Sequence, residues 1–158
     1  MGNLRRIINL IRMVTTGTGV YLLFQSGYFQ GIYTGYGNGA QLGVGVYTGH
    51  GDPFFFLSDY HVYLNWLLIC FILAKVIDLG VVTELISLAA ILGSFLATCY
   101  LYNFKVAYSG DESSYVDLIR ITISFDYCRI WICMALIVLQ SLGLYLSFRE
   151  RRLRIKAA

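Results

Sequence analysis

The chain has 158 residues, of which 58% are hydrophobic and 13% charged, and it carries a formal net charge of +3. Soluble domains charge about 25% of their residues, so the composition excludes an ordinary water-soluble fold. The length leaves room for one compact unit and for no second domain of usual size.

Three arginines, Arg5, Arg6 and Arg12, come first and an apolar stretch follows, which predicts a first membrane span over residues 10–29. Arg5 and Arg12 lie a heptad apart on one helix face, from which long basic side chains snorkel to a headgroup layer. A cleaved signal peptide also begins basic and turns apolar. Here Arg12 interrupts the apolar region and no small-residue cleavage site follows, so the segment is expected to be retained. Met1, Gly2 and Asn3 resemble the start of a myristoylation signal, but Arg6 stands where that signal needs serine or threonine.

An outer loop is expected over residues 25–58. Within it Asn38 and Gly39 form the pair preferred in a two-residue type I′ hairpin turn, and residues 32–36 and 42–47 are rich in β-branched and aromatic side chains. Two antiparallel strands are therefore predicted. Gly35, Gly37 and Gly39 do not make a phosphate-cradling loop, because the strand and helix that such a loop joins are missing. Phe54, Phe55 and Phe56 follow the single proline, Pro53, and are expected to pack locally near the membrane boundary.

Residues 59–77 and 84–102 are the next two spans, joined by the tight turn Asp78, Leu79, Gly80. Lys75 and Asp78 are three apart and expected to pair, with Glu84 capping the third span from the same side. Asn65, and Gln140 further on, are expected to hydrogen-bond between helices rather than to hold a substrate. Ala89, Ala90, Gly93, Ser94 and Ala97 would allow close helix contact and place the third span centrally in the bundle.

The second outer loop is expected over residues 106–126. In it residues 118–125 alternate, with Ile119, Ile121, Ile123 and Phe125 on one face and Arg120, Thr122 and Ser124 on the other. Period two predicts a third strand, and three strands sharing an apolar face persist where a lone hairpin does not. The fourth span covers residues 130–148. The basic tail Arg149, Arg151, Arg152, Arg154, Lys156 follows as a topological anchor, with attraction to anionic lipid as the alternative. The fold class expected is thus an all-α membrane protein, a four-transmembrane-helix bundle capped by a small extracellular antiparallel β-sheet, forming a single domain over residues 1–158.

Four spans put both termini on one side. That side holds Arg5, Arg6, Arg12, Lys75, Arg149, Arg151, Arg152, Arg154 and Lys156, against Lys105, Arg120 and Arg129 on the other. The positive-inside rule then makes the termini cytoplasmic and points to the plasma membrane with the longer loops outside. No converging ionisable groups are expected at the midplane, so neither enzyme nor transporter chemistry is predicted. No cofactor or metal is expected either, because His50 and His61 have no partner at ligand spacing. The basic run lies directly against a span and does not indicate nucleic acid. Cys70, Cys99 and Cys133 fall within spans. Cys99 could reach Cys128 in a disulfide if the third and fourth helices adjoin there, and the sequence leaves that open.

The four spans, the longer first outer loop, the tight inner turn and the entry to the third span at Thr83, Glu84, Leu85, Ile86 resemble the claudin and MARVEL group of tetraspan proteins. In length and layout the chain is most similar to the snakeskin-type septate-junction proteins of arthropods. The claudin signature of tryptophans and cysteines is missing, since residues 25–59 contain neither residue, and this excludes a claudin proper. The resemblance implies a non-enzymatic protein that organises cell junctions or specialised membrane domains by lateral or cell-to-cell contact. An accessory subunit or trafficking adaptor of a channel, receptor or transporter has the same sequence features. The expected partners are other integral membrane proteins or a second copy of the chain, together with the lipid bilayer. The docking surface is expected on the outer sheet, at Tyr33, Tyr36, Asn38, Gly39 and Tyr47.

Overall fold

The computed structural model describes residues 2–39, 53–77, 80–108 and 116–157, with side chains placed for 4–34, 56–77, 80–107 and 119–153. Four helices account for nearly all of it: α1 (Gly2–Gly39), α2 (Pro53–Val76), α3 (Val81–Tyr108) and α4 (Val116–Ala157). Each contains a segment long and apolar enough to cross a membrane. The described residues are all-helical, and the four apolar helices make this a multi-pass membrane protein.

One spacing runs through all four helices. On α1 the buried positions are Ile8, Ile11, Thr15, Gly19, Leu22, Ser26, Phe29 and Tyr33, and on α4 they are Ile119, Thr122, Asp126, Arg129, Cys133, Leu136, Gln140 and Gly143. Leu57, His61, Leu64, Leu68 and Phe71 continue the pattern on α2, and Glu84, Ser87, Ile91, Ser94, Thr98, Leu101 and Lys105 on α3. Steps of three and four average 3.5 residues, the repeat that keeps one seam of a helix against its neighbour. Residues such as Phe24, Trp66, Leu96 and Val138 are left facing outward, as suits a bundle solvated by lipid.

Packing is a closed ring. α1 lies against α2 and α4, and α3 lies against the same two, whereas the diagonal backbones do not meet among the described residues. α3 is therefore no more central than the others, and of its small residues Ala90 and Ser94 turn inward while Ala89 is exposed. α1 approaches α2 closely, so that a Cβ added to Gly19 would lie 2.8 Å from the Phe71 ring. Gly80 makes the turn into α3 with φ of 70°, and its carbonyl accepts from the Thr83 hydroxyl at 2.8 Å.

The predicted sheet is not supported. Residues 32–36 continue α1, the Asn38–Gly39 pair lies in the last turn of that helix, and residues 118–125 open α4. The second expected strand, residues 42–47, lies outside the described residues. A helix satisfies its own backbone hydrogen bonds wherever it sits, whereas a strand depends on partners. Alternation in residues 118–125 proved to be part of a longer three-four repeat in which Ile119, Thr122 and Asp126 share the inner face.

α1 and α4 also outrun their neighbours. Both Arg12 on α1 and Gln140 on α4 meet Glu84 at the start of α3. The ten residues of α1 before Arg12 reach roughly 15 Å past the level of Glu84, and the seventeen of α4 after Gln140 roughly 25 Å, at 1.5 Å per residue.

Candidate functional site

Polar side chains inside the ring gather into two nodes. They are separated by the 21 residues of α3 from Glu84 to Lys105, about 31 Å of helix and close to the thickness of a hydrocarbon core.

The node at the terminal end is built on Glu84, whose side chain is 3% exposed. Arg12 Nε donates to Oε1 at 2.8 Å and Lys75 Nζ donates to Oε2 at 2.7 Å. Gln140 Nε2 donates to Oε2 at 2.6 Å and also to the Glu84 backbone carbonyl at 3.0 Å. One carboxylate thus ties all four helices together. Lys75 takes Glu84 as its partner, and Asp78, the partner expected for it, lies outside the described residues.

At the loop end, Lys105 on α3 donates to Asp126 Oδ2 on α4, both fully buried. Lys105 Nζ also stands 5.1 Å from the centre of the Tyr33 ring. The Tyr33 hydroxyl donates to Thr122 Oγ1 at 2.8 Å, and its ring stacks on His61 at 5.5 Å between centroids. His61 Nδ1 is 3.0 Å from Ser26 Oγ. Arg129, 1% exposed, is placed by one helical turn with Nη1 3.5 Å from Asp126 Oδ1. Among the described residues, its Nε, Nη1 and Nη2 make no hydrogen bond, nor do Asp126 Oδ1 and His61 Nε2.

Further polar ties complete the α1–α2 seam, with Thr34 Oγ1 and Ser58 Oγ 2.6 Å apart and Asn65 Nδ2 donating to Gln30 Oε1 at 2.7 Å. The interhelical hydrogen bonds expected of Asn65 and Gln140 are present.

Tyr33, expected to face outward for docking, is fully buried in the loop-end node. Tyr36, Asn38 and Gly39 are helical residues at the end of α1, and Tyr47 lies outside the described residues. His61 is a buried core residue. Cys99 and Cys128 are both free thiols, half-buried and exposed respectively. Among the described residues no three His, Cys, Asp or Glu side chains assemble as metal ligands.

Lys105 and Arg129, which the sequence places on the loop side, lie inside the bundle together with Asp126. The signal that would have drawn them inward is the repeat Thr122, Asp126, Arg129, Cys133, Leu136, which sets two charges on the seam that then carries apolar residues. No family model, curated protein or solved structure matches this chain.

Proposed function

We propose that the protein is a non-enzymatic tetraspan organiser of cell junctions or specialised membrane domains, acting through contacts with other integral membrane proteins or with further copies of itself. The observation that carries this is the Glu84 node. Arg12, Lys75, Glu84 and Gln140 spend their polar groups on one another and lock four helices into a single body. Ionisable residues in a membrane ordinarily mark a path or a reacting centre, and at this node they are taken up in cohesion. A rigid body of this kind serves as a platform whose outer surfaces and connecting loops do the recognising.

Orientation with both termini in the cytoplasm, at the plasma membrane, belongs to the same proposal. Of the three cations assigned to the loop end, Lys105 and Arg129 are enclosed in the bundle and Arg120 alone is exposed. The surface charge asymmetry is thus steeper than the sequence count, which favours the terminal side as the inner one.

A second reading, an accessory subunit, draws on the projecting ends of α1 and α4. Arg5, Arg6, Arg149, Arg151 and Arg152 are exposed there among apolar residues such as Leu10 and Tyr145, a surface suited to gripping one partner at the inner leaflet. Imaging of the tagged full chain together with cross-linked co-purification separates the two. Concentration at cell contacts, with self-association or several partners, supports the organiser. Constant stoichiometry with one complex throughout the cell supports the subunit. A uniformly distributed monomer with no stable partner would overturn both.

A further inference from the structure

We propose that the loop-end node is a binding site for one small monovalent inorganic anion, held by the Arg129 guanidinium beside Lys105, Asp126 and His61. Lys105 and Arg129 each bring a positive charge and Asp126 one negative charge, which leaves a net +1 enclosed by four helices. Lys105 already engages Asp126 Oδ2, and the Arg129 guanidinium makes no hydrogen bond among the described residues, with Nη1 3.5 Å from Asp126 Oδ1, itself without a hydrogen bond. An uncompensated buried cation is among the costliest groups a bundle can hold, and guanidinium does not escape by losing its proton.

The chemistry narrows the occupant. Water would accept the N–H bonds but leave the charge uncompensated. Phosphate-bearing headgroups do not suit a guanidinium that is 1% exposed inside the helix ring, and a divalent anion would replace one net charge by the opposite one. A small monovalent anion such as chloride satisfies both the charge and the donors. In the tautomer that lets the Ser26 hydroxyl donate to Nδ1, His61 carries its proton on Nε2 and adds a donor that has no acceptor among the described residues. The His61 ring stacks on Tyr33 at 5.5 Å, and Lys105 Nζ stands 5.1 Å from the centre of that same Tyr33 ring.

The full chain in phosphatidylcholine nanodiscs tests this. Thermal unfolding is compared in sodium chloride and sodium gluconate at equal ionic strength, and retained radioactive chloride is counted. The expected result is a saturable rise of Tm in chloride and one chloride retained per chain. Arg129→Met removes the charge while keeping bulk, and should unfold at the same temperature in both salts and retain chloride only at background. Arg120→Gln, at an exposed position of the same helix, should respond like the parent. Identical unfolding of the parent chain in the two salts, or an undiminished chloride response in Arg129→Met, would overturn the proposal. Should Arg129→Met fail to fold, the parent chain decides alone: without saturable retention of chloride the site does not exist.

Discussion

Gln140 reaches from α4 to Glu84 twice, donating through one nitrogen to the carboxylate at 2.6 Å and to the backbone carbonyl at 3.0 Å. That carbonyl belongs to the first turn of α3 and has its own helical partner to serve, so the contact fixes the height of α4 against α3 as well as its rotation. Arg12 and Lys75 then arrive at the same carboxylate from α1 and α2.

Loss of the carboxylate charge strands two cations. Glu84→Gln should destabilise the bundle by about 3–5 kcal/mol, the usual penalty for removing one member of a buried ionic group. Lys75→Met should cost much less, since Arg12 and Gln140 still serve Glu84. Unfolding in mild detergent, followed by tryptophan fluorescence, measures both. Equal stability of Glu84→Gln and the parent chain would remove the node from any role in cohesion.

The Gly19 contact is a steric counterpart. A Cβ at Gly19 would fall 2.8 Å from two atoms of the Phe71 ring, while one at Gly17 meets nothing within 4 Å. Phe71 is fully buried and has little freedom to retreat. Gly19→Ala should therefore cost about 1–3 kcal/mol through overpacking, and Gly17→Ala should stay within about 0.5 kcal/mol of the parent. Similar unfolding curves for the two variants would contradict the close approach of α1 to α2.

Tyr33 and Thr122 supply a third test, across α1 and α4. A double-mutant cycle of Tyr33→Phe and Thr122→Val should give a coupling energy of about 0.6 kcal/mol, with about 1.7 as the upper end for membrane hydrogen bonds. Additive effects would mean that the 2.8 Å bond is not made in the bilayer. In either variant surface delivery should track stability, because Tyr33 is a core residue and not an outward-facing one.

Span number was legible because hydropathy over some twenty residues answers directly to bilayer thickness. The inner faces were not. In a soluble protein the apolar side of a helix is the buried side, but here Phe24, Trp66 and Leu96 face outward and Thr15, Ser94 and Gln140 face inward. Hydrophobic periodicity therefore gave no purchase, and the three-four spacing of small and polar residues was the usable pattern. The alternation in residues 118–125 misled for a related reason: seven or eight residues fit period two as well as a helix end, and only continuation through Arg129 and Cys133 decides between them. Asn38 and Gly39 have the chemistry of a hairpin turn, and they stand in the last turn of α1 instead.

The sharpest check on the helical course of α1 past the expected first span is a cross-link. Thr34 Oγ1 and Ser58 Oγ stand 2.6 Å apart, so their Cβ atoms lie near the separation that a disulfide spans. With Cys70, Cys99, Cys128 and Cys133 replaced by alanine or serine, the pair Thr34→Cys and Ser58→Cys should cross-link quickly under mild oxidation in membranes. Thr34→Cys with Asp59→Cys, whose side chain is exposed next to buried Ser58, should lag well behind. The readout is a gel shift after cleavage at a protease site inserted between α1 and α2. Were residues 32–36 instead a strand of an outer sheet, the run beyond Thr34 would leave the α2 seam and the preference for position 58 over 59 would vanish. Equal, slow cross-linking at both positions would thus refute the continuous helix and restore the strand.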